Sequence, residues 1–318
     1  MSRPVVTVIV PGRDIAPYAE EALSSLRGQT LRSWRAVLVD DCSQDATGAL
    51  FAAAAASDPR FEILSHARPL GLGAARNAAL DLVDTPFVAF LDGDDVLAPG
   101  ALDRLVGTLD ETGSDFAVGA YVRLRPTDEG YRPGPVQPWV AASTDPERRG
   151  VTLAEHPRAS GNIVAWSKVS RIEFWRRHHL RFPEDRLYED QIVAQQMYTR
   201  ARAFDTVPDV VVQWRERADG SSITQHRAQL GVLTDYLAAL RGGLAVLDAA
   251  DARAAAEARV RLVLDMDVPP LVRIARTHPD PAYRQRLGAL VREFGDRVPD
   301  HRAADPEVAE LWHAARLW

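Results

Sequence analysis

Five short runs rich in apolar and β-branched residues alternate with helical stretches along the first part of the chain. The runs are Val5 to Val10, Arg35 to Asp40, Phe61 to Leu64, Phe87 to Leu91 and Phe116 to Leu124. Between them, Ile15 to Leu26, Asp45 to Ser57, Gly71 to Leu82 and Pro99 to Glu111 have helical length and composition, and Pro99 suits a first helical turn. Parallel strands need long crossover connections, so this alternation predicts an α/β fold with a doubly wound, mostly parallel central sheet and flanking helices.

Such a sheet binds ligands beyond the carboxyl ends of its strands, so the polar residues that follow each run are the candidates for chemistry. Val37-Leu38-Val39 leads into Asp40-Asp41-Cys42-Ser43-Gln44-Asp45. Helix capping accounts for Ser43 or Asp45 but not for the two preceding carboxylates, and Asp41 is a natural acceptor for a base N–H or a ribose hydroxyl. Phe87 to Leu91 ends in Asp92-Gly93-Asp94-Asp95. Three carboxylates so close repel one another unless solvated or bridged by a cation, and a hard cation, Mn²⁺ or Mg²⁺, suits oxygen donors shared with substrate phosphates.

Gly71-Leu72-Gly73-Ala74-Ala75-Arg76 imitates a dinucleotide-binding fingerprint. Its last position carries Arg76 instead of a small residue, Arg68-Pro69-Leu70 interrupts the strand that should feed it, and the first strand leads into Pro11-Gly12-Arg13-Asp14. A helix start bearing an arginine is better suited to pairing with a diphosphate, or to holding the loop around it.

The net charge of -6 argues against a nucleic-acid partner, which normally meets a basic face. Cys42 is the single cysteine, so no intrachain disulfide can form, and a reducing cytoplasm fits best. Val5 to Val10 runs into Pro11 as a strand does, not as a signal-peptide core does, and no window is read as the ~18 uncharged apolar residues of a membrane span. Docking at the inner face of the plasma membrane and self-association stay open.

Arg125 to Arg149, with Pro126, Pro133, Pro135, Pro138 and Pro146, reads as a long irregular connection. Helices around Ser167 to His178 and Glu189 to Arg200 follow, with strand-like pieces near Phe204 and at Val210 to Trp214. From Thr224 onward the composition is helical. This last segment has no acids clustered after strands, which favours packing or partner contact over chemistry. Lys168, the single lysine, is read as a surface residue or a contact for an acceptor anion; the histidines lack metal-site spacing, and Trp312 and Trp318 read as core or interface.

Several of these elements together resemble the family-2 glycosyltransferases of GT-A fold. Val5-Val6-Thr7-Val8-Ile9-Val10-Pro11 looks like their opening strand, and Val39-Asp40-Asp41-Cys42-Ser43-Gln44-Asp45 is similar to their Val-Asp-Asp-Gly-Ser-x-Asp element. Gly71 to Asn77 looks like their Gly-x-x-x-Ala-Arg-Asn segment, and Phe90 to Asp95 resembles their metal-binding Asp-x-Asp turn. Leu187-Tyr188-Glu189-Asp190-Gln191 is similar to the Glu-Asp element that opens a helix and supplies the catalytic base, and Val212 to Arg217 with Ser221 to Gln225 resembles a loop of members linked to cell-surface polymers. Two places depart: Gly12-Arg13-Asp14 replaces an aromatic-Asn pair, and Cys42 replaces glycine.

The resemblance implies a nucleotide-sugar donor held by Pro11, Asp41, Arg76 and Asp92, a metal on Asp92 and Asp94, and Asp190 as catalytic base. Complementing a helix dipole is the competing account of Glu189 and Asp190. The expected activity is inverting, metal-dependent transfer from a nucleoside-diphosphate sugar, UDP-linked by default, to a saccharide, lipid-linked or polyol-phosphate acceptor in polysaccharide synthesis. A catalytically inactive sugar-nucleotide-binding or scaffolding module is the alternative, and a nucleotidyltransferase lacks its glycine-rich opening near residue 11. The expected organisation is a nucleotide-sugar-binding half (1–124), an acceptor and catalytic-base half of the same domain (125–224) and a C-terminal helical region (225–318).

Overall fold

A computed structural model describes residues 3–222 and 226–318; the Ile223-Thr224-Gln225 part of the Ser221 to Gln225 segment lies outside the described residues. The strands are β1 (Val6–Gly12), β2 (Trp34–Asp40), β3 (Phe61–Ser65), β4 (Phe87–Phe90), β5 (Val96–Leu97), β6 (Phe116–Thr127), β7 (Gly130–Pro133), β8 (Arg148–Val151), β9 (Lys168–Arg171) and β10 (Phe204–Arg215). They form one mixed sheet in the order β3-β2-β1-β4-β9-β6-β10-β5, with β7 paired to β6 and β8 to β10.

The amino-terminal half is parallel, with β1 pairing β2 and β4, and β2 pairing β3. Its crossovers are α1 (Ala16–Arg27), α2 (Thr47–Ser57) and α3 (Leu72–Leu80), which lie where the composition predicts them. β1, β2 and β4 are buried nearly throughout, as expected of a sheet covered on both faces. Pro99 stands just ahead of α4 (Ala101–Thr112), behind Gly100 at its amino end, and not within its first turn.

The second half departs from the expectation in two ways. Lys168–Arg171 is a strand, antiparallel to both β4 and β6, and the helix expected from Ser167 shrinks to α6 (Ile172–Arg177). The slot between β4 and β6 takes these four residues into the hydrogen-bond ladder, so tertiary pairing overrides local helical composition. The stretch Arg125 to Arg149 is also more regular than its prolines suggest. It completes β6, turns into the β7 hairpin, forms α5 (Pro138–Thr144), whose Pro138 occupies a helix start, and enters β8. The two pieces near residues 204 and 214 are one strand, β10, whose register shifts between Val207 and Val210, around Pro208, which has no N–H to donate.

α7 (Asp190–Arg200) packs on the first long carboxy-terminal helix, α8 (Leu230–Ala249). α9 (Arg253–Leu262) continues through a π-helical turn at Val263–Asp267 into α10 (Val268–Thr277), and α11 (Pro281–Arg297) and α12 (Pro306–Arg316) follow. By length and composition α8 could cross a membrane, a helix that the sequence reading passed over. Here it buries one face, including Leu233, Leu237, Leu240, Leu244 and Leu247, in the protein core. Trp312 and Trp318 pack partly buried against the same core.

Candidate active site

The parallel strands bring their carboxyl ends to one edge, and backbone hydrogen bonds extend the ladder past them. Gly93 N–H donates to Pro11 O at 3.0 Å and Asp41 N–H to Gly12 O at 3.0 Å, so both acidic turns are tied to the end of β1. Cys42 takes φ 61°, the left-handed region where the resembling motif has glycine; this chain places a side chain there and bears the backbone cost. Asp45 accepts from Thr47 N–H at the start of α2, whereas Ser43 Oγ accepts from Asp14 N–H.

The Asp41 carboxylate is buried, yet it lines the cleft. It accepts hydrogen bonds from His66 Nδ1 at 2.8 Å, Leu70 N–H at 2.9 Å and Gly71 N–H at 2.8 Å. Burial alone would raise its pKa, but these donors outweigh it and hold the carboxyl below its ordinary value, ready to accept. His66, one residue beyond β3, was missed in the sequence; its signal is a position at the same strand edge as the acids.

Arg76 sits in α3 with its side chain 1% exposed. It donates to Asp92 Oδ1 at 2.5 Å and to Glu189 Oε1, and its guanidinium lies 5.1 Å from the centre of the Phe182 ring. The neighbouring Asn77 clamps the same segment, donating to Phe182 O at 2.8 Å and accepting from Phe182 N–H at 2.9 Å. The Arg-Asn pair thus fastens the chain before α7 to the sheet edge that bears Asp92, a structural task in addition to the donor contact expected of Arg76.

The acidic turn is asymmetric. Asp94 Oδ2 accepts from Arg217 Nε at 2.7 Å, while Asp95 is turned inward, accepting from Arg215 N–H at 2.8 Å on one oxygen. Burial, then repulsion from Asp94 and Asp92, pushes Asp95 well above the carboxylate range. Burial also raises Asp94, against the pull of Arg217. Among the described residues no three metal-ligating side chains converge, so the chain would offer a cation the carboxylates of Asp92 and Asp94, leaving other positions to phosphate oxygens and water. That donor set fits Mg²⁺ or Mn²⁺, which keep several waters and seldom use an all-protein cage.

Asp190 opens α7 behind Glu189, and the loop that delivers it holds Asp185 and Tyr188 at φ 57° and 60°. Left-handed backbone is tolerated by Asp185 but is strained at the bulky Tyr188, and it needs support from its surroundings. α8 supplies it: Tyr236 packs on Tyr188 with ring centres 4.6 Å apart, and Asp235 accepts from Leu187 N–H at 3.3 Å. Burial, then the charge of Glu189, raises Asp190 to about 7, with Arg76 and Lys168 pulling the other way. Lys168 is buried and not on the surface; it donates to Asn162 O at 2.8 Å and Val164 O at 2.6 Å, and burial lowers it to about 7. Its bonds to the chain's own carbonyls leave the acceptor-anion role without support.

Pro11, Asp41, Arg76, Asp92, Asp94 and Asp190 all line one cleft of about 1220 Å³. The carboxy-terminal helices, expected to serve packing or partner contact, also reach it through Arg259, Leu262, Met266, Asp267 and Pro270. Arg259 donates to Gln191 Oε1 at 3.1 Å, next to Asp190 in sequence, a long-range contact with no local signal.

A parallel sheet edge, an acidic turn and a carboxylate-headed helix across one cleft are the layout of a GT-A type fold. Staphylococcus aureus TarS 1-349, crystallised with UDP-GlcNAc, superposes with a TM-score of 0.73 at 21% identity over 98% of this chain and 87% of that one. The mannosyltransferase PcManGT of Pyrobaculum calidifontis, in complex with GDP-Man and Mn²⁺, gives 0.57 at 21% identity over 100% and 81%. Residues 7–153 match the family model for Glycosyl transferase family 2. The Escherichia coli UDP-Glc:alpha-D-GlcNAc-diphosphoundecaprenol beta-1,3-glucosyltransferase WfgD is 30% identical over 117 residues, 37% of this chain and 46% of WfgD. Two Bacillus subtilis relatives align over 62% and 54% of their own length, so the chain spans only part of each.

Proposed function

We propose that the chain moves a sugar from a UDP-linked donor to an acceptor hydroxyl, with inversion and with a divalent cation, in the synthesis of a cell-surface polysaccharide or glycoconjugate at the cytoplasmic side. The observation that carries this reading is the meeting of Asp41, Asp92, Asp94 and Asp190 in one cleft, with Arg76 and Glu189 joining its two sides. In the division it suggests, residues 1–124 bind the donor, 125–224 supply the base, and 225–318 complete the acceptor side.

Asp41, preorganised by His66 and two backbone N–H groups, accepts from the base or ribose, and Pro11 and Asp92 flank the nucleotide. A cation on Asp92 and Asp94 would offset charge growing on the departing diphosphate. Asp190 takes the acceptor hydroxyl proton as that oxygen bonds to the anomeric carbon and the bond to the diphosphate breaks. A single displacement with one base requires no covalent intermediate, and the anomeric centre inverts. A pKa of about 7 keeps Asp190 basic enough to accept a proton and ionised in useful amount near neutrality.

The test is calorimetry and turnover with UDP-, GDP-, dTDP- and CDP-sugars, each with Mn²⁺ or Mg²⁺, reading product anomeric configuration by NMR. Metal-dependent UDP-sugar binding with inverted product is the expected result. Binding without donor hydrolysis or transfer to any acceptor would favour an inactive sugar-nucleotide-binding module instead.

A further inference from the structure

The cleft is larger than one substrate needs. Its volume of about 1220 Å³ exceeds the ~300–1,000 Å³ of a site built around one drug-sized ligand. The donor edge occupies one side. The lining also carries four aromatic rings: Tyr121, Trp139, Trp166 and Trp214, from β6, α5, the segment before β9, and β10.

Three of these rings form a connected surface. Tyr121 and Trp166 meet edge to face with centres 4.8 Å apart, and Trp166 and Trp214 lie near parallel at 6.5 Å. The Arg123 guanidinium sits 5.0 Å from the Trp214 ring centre. Tyr121 and Trp166 are buried, whereas Trp139 and Trp214 stay partly exposed. Partly exposed indoles lining the cleft present apolar area to whatever enters it. Polar groups border them, since Arg259, bonded to Gln191 beside Asp190, and Asp267 line the same cleft. The π-helical turn that carries Asp267 is a backbone irregularity often found at functional sites.

Flat apolar rings bordered by hydrogen-bonding side chains match a pyranose, which has a C–H face and a rim of hydroxyls. An extended polyol phosphate has no such face and would leave the indoles wet. We infer that this wall is the acceptor subsite and that the acceptor is a saccharide whose terminal ring lies against Trp139 and Trp214, with a hydroxyl directed to Asp190. The inference rests on the glycosyltransferase reading and adds the acceptor class and the residues that select it.

The test uses the full chain with UDP and MnCl₂, and saturation-transfer NMR with methyl glycosides of glucose, galactose and N-acetylglucosamine beside ribitol 5-phosphate and glycerol phosphate. Trp139→Ala and Trp214→Ala are compared with the unaltered protein, and calorimetry of UDP reports folding and the donor site. At least one glycoside should receive saturation, and its affinity should fall by ~10-fold, a loss of about 1.4 kcal/mol, in both variants while UDP affinity holds. No bound glycoside, unchanged binding in both variants, or saturation of the polyol phosphates in place of glycosides would overturn the inference. If UDP fails to bind the unaltered protein while glycosides depend on the tryptophans, the donor reading falls and the saccharide wall stands.

Discussion

Arg76 and Glu189, 113 positions apart in sequence, pair out of contact with water, and the same guanidinium holds Asp92. The sheet edge bearing Asp92 and the helix bearing Asp190 are therefore one electrostatic unit. Burying these charges is costly, and the cost is offset only while all three remain together. Arg76→Met should lower unfolding free energy by about 3–5 kcal/mol, the usual effect of breaking a buried pair from one side, as read by urea denaturation. Adding Glu189→Gln should cost less than the sum of the two single changes; strict additivity would show that the two residues are not coupled.

Asp190→Asn keeps the shape and removes the basicity. Transfer should drop by ~10²-fold or more, the typical worth of a general base, with donor and metal affinity retained. Glu189→Gln should impair stability more than it impairs proton transfer. Normal turnover in Asp190→Asn would end the base assignment.

The pH dependence follows from Asp190 being raised to about 7 by burial and by Glu189. The base works ionised, so kcat should climb with pH through about 7. Stability runs the other way. The folded carboxyl holds its proton above the unfolded value of 3.8, so its stabilising contribution is full below that pH and is lost as pH rises through about 7. Asp190→Asn should abolish both trends, so the variant gains stability relative to the parent at pH 8 in paired thermal melts.

Much of this site was legible because its acids follow apolar runs directly: Asp41 and the Asp92 to Asp95 turn need only the rule that parallel strands end at the ligand. Asp190 was legible through its Tyr-Glu-Asp context, not through spacing. Other residues lay beyond local reading for a physical reason. His66 looks like any polar residue after an edge strand until the fold sets it 2.8 Å from Asp41. Lys168 has a surface residue's composition but enters the sheet through pairing with two distant strands. Arg259 reaches Gln191 across 68 positions, through packing of helices whose sequence carries no motif.

The acidic turn predicts a chelator effect. EDTA should remove activity and Mn²⁺ or Mg²⁺ should restore it, whereas Asp94→Asn should remain inactive at any metal concentration. Full activity in EDTA would remove the cation from the mechanism and leave Arg217, at 2.7 Å from Asp94, as the nearest compensating charge.

His66→Ala removes one of three donors from Asp41 while leaving Leu70 and Gly71 in place. Nucleotide affinity should weaken by about 1 kcal/mol, the net worth of a typical hydrogen bond, with kcat at saturating donor little changed. Calorimetry of UDP on the variant checks this, and an unchanged Kd would separate His66 from donor binding.

Gly73 and Gly107 offer a matched contrast. Both are helical, in α3 and α4, and local propensity says that alanine should stabilise each by up to ~1 kcal/mol. At Gly107 a Cβ would meet nothing within 4 Å, so Gly107→Ala should raise Tm. At Gly73 the same atom would stand 2.1 Å from Pro183 O and 3.5 Å from Glu189 Cβ, and a backbone carbonyl cannot rotate aside. The segment that delivers Glu189 and Asp190 must then move away from α3, and a displacement near 1 Å costs about 10²-fold in a positioned reaction. Gly73→Ala should therefore lose transfer by that order, and lower Tm, while Asp41 and its donors keep nucleotide binding close to normal. Equal gains in Tm for both alanine variants, with turnover intact, would show that the contact between α3 and residues 183–189 does not set the geometry of the base.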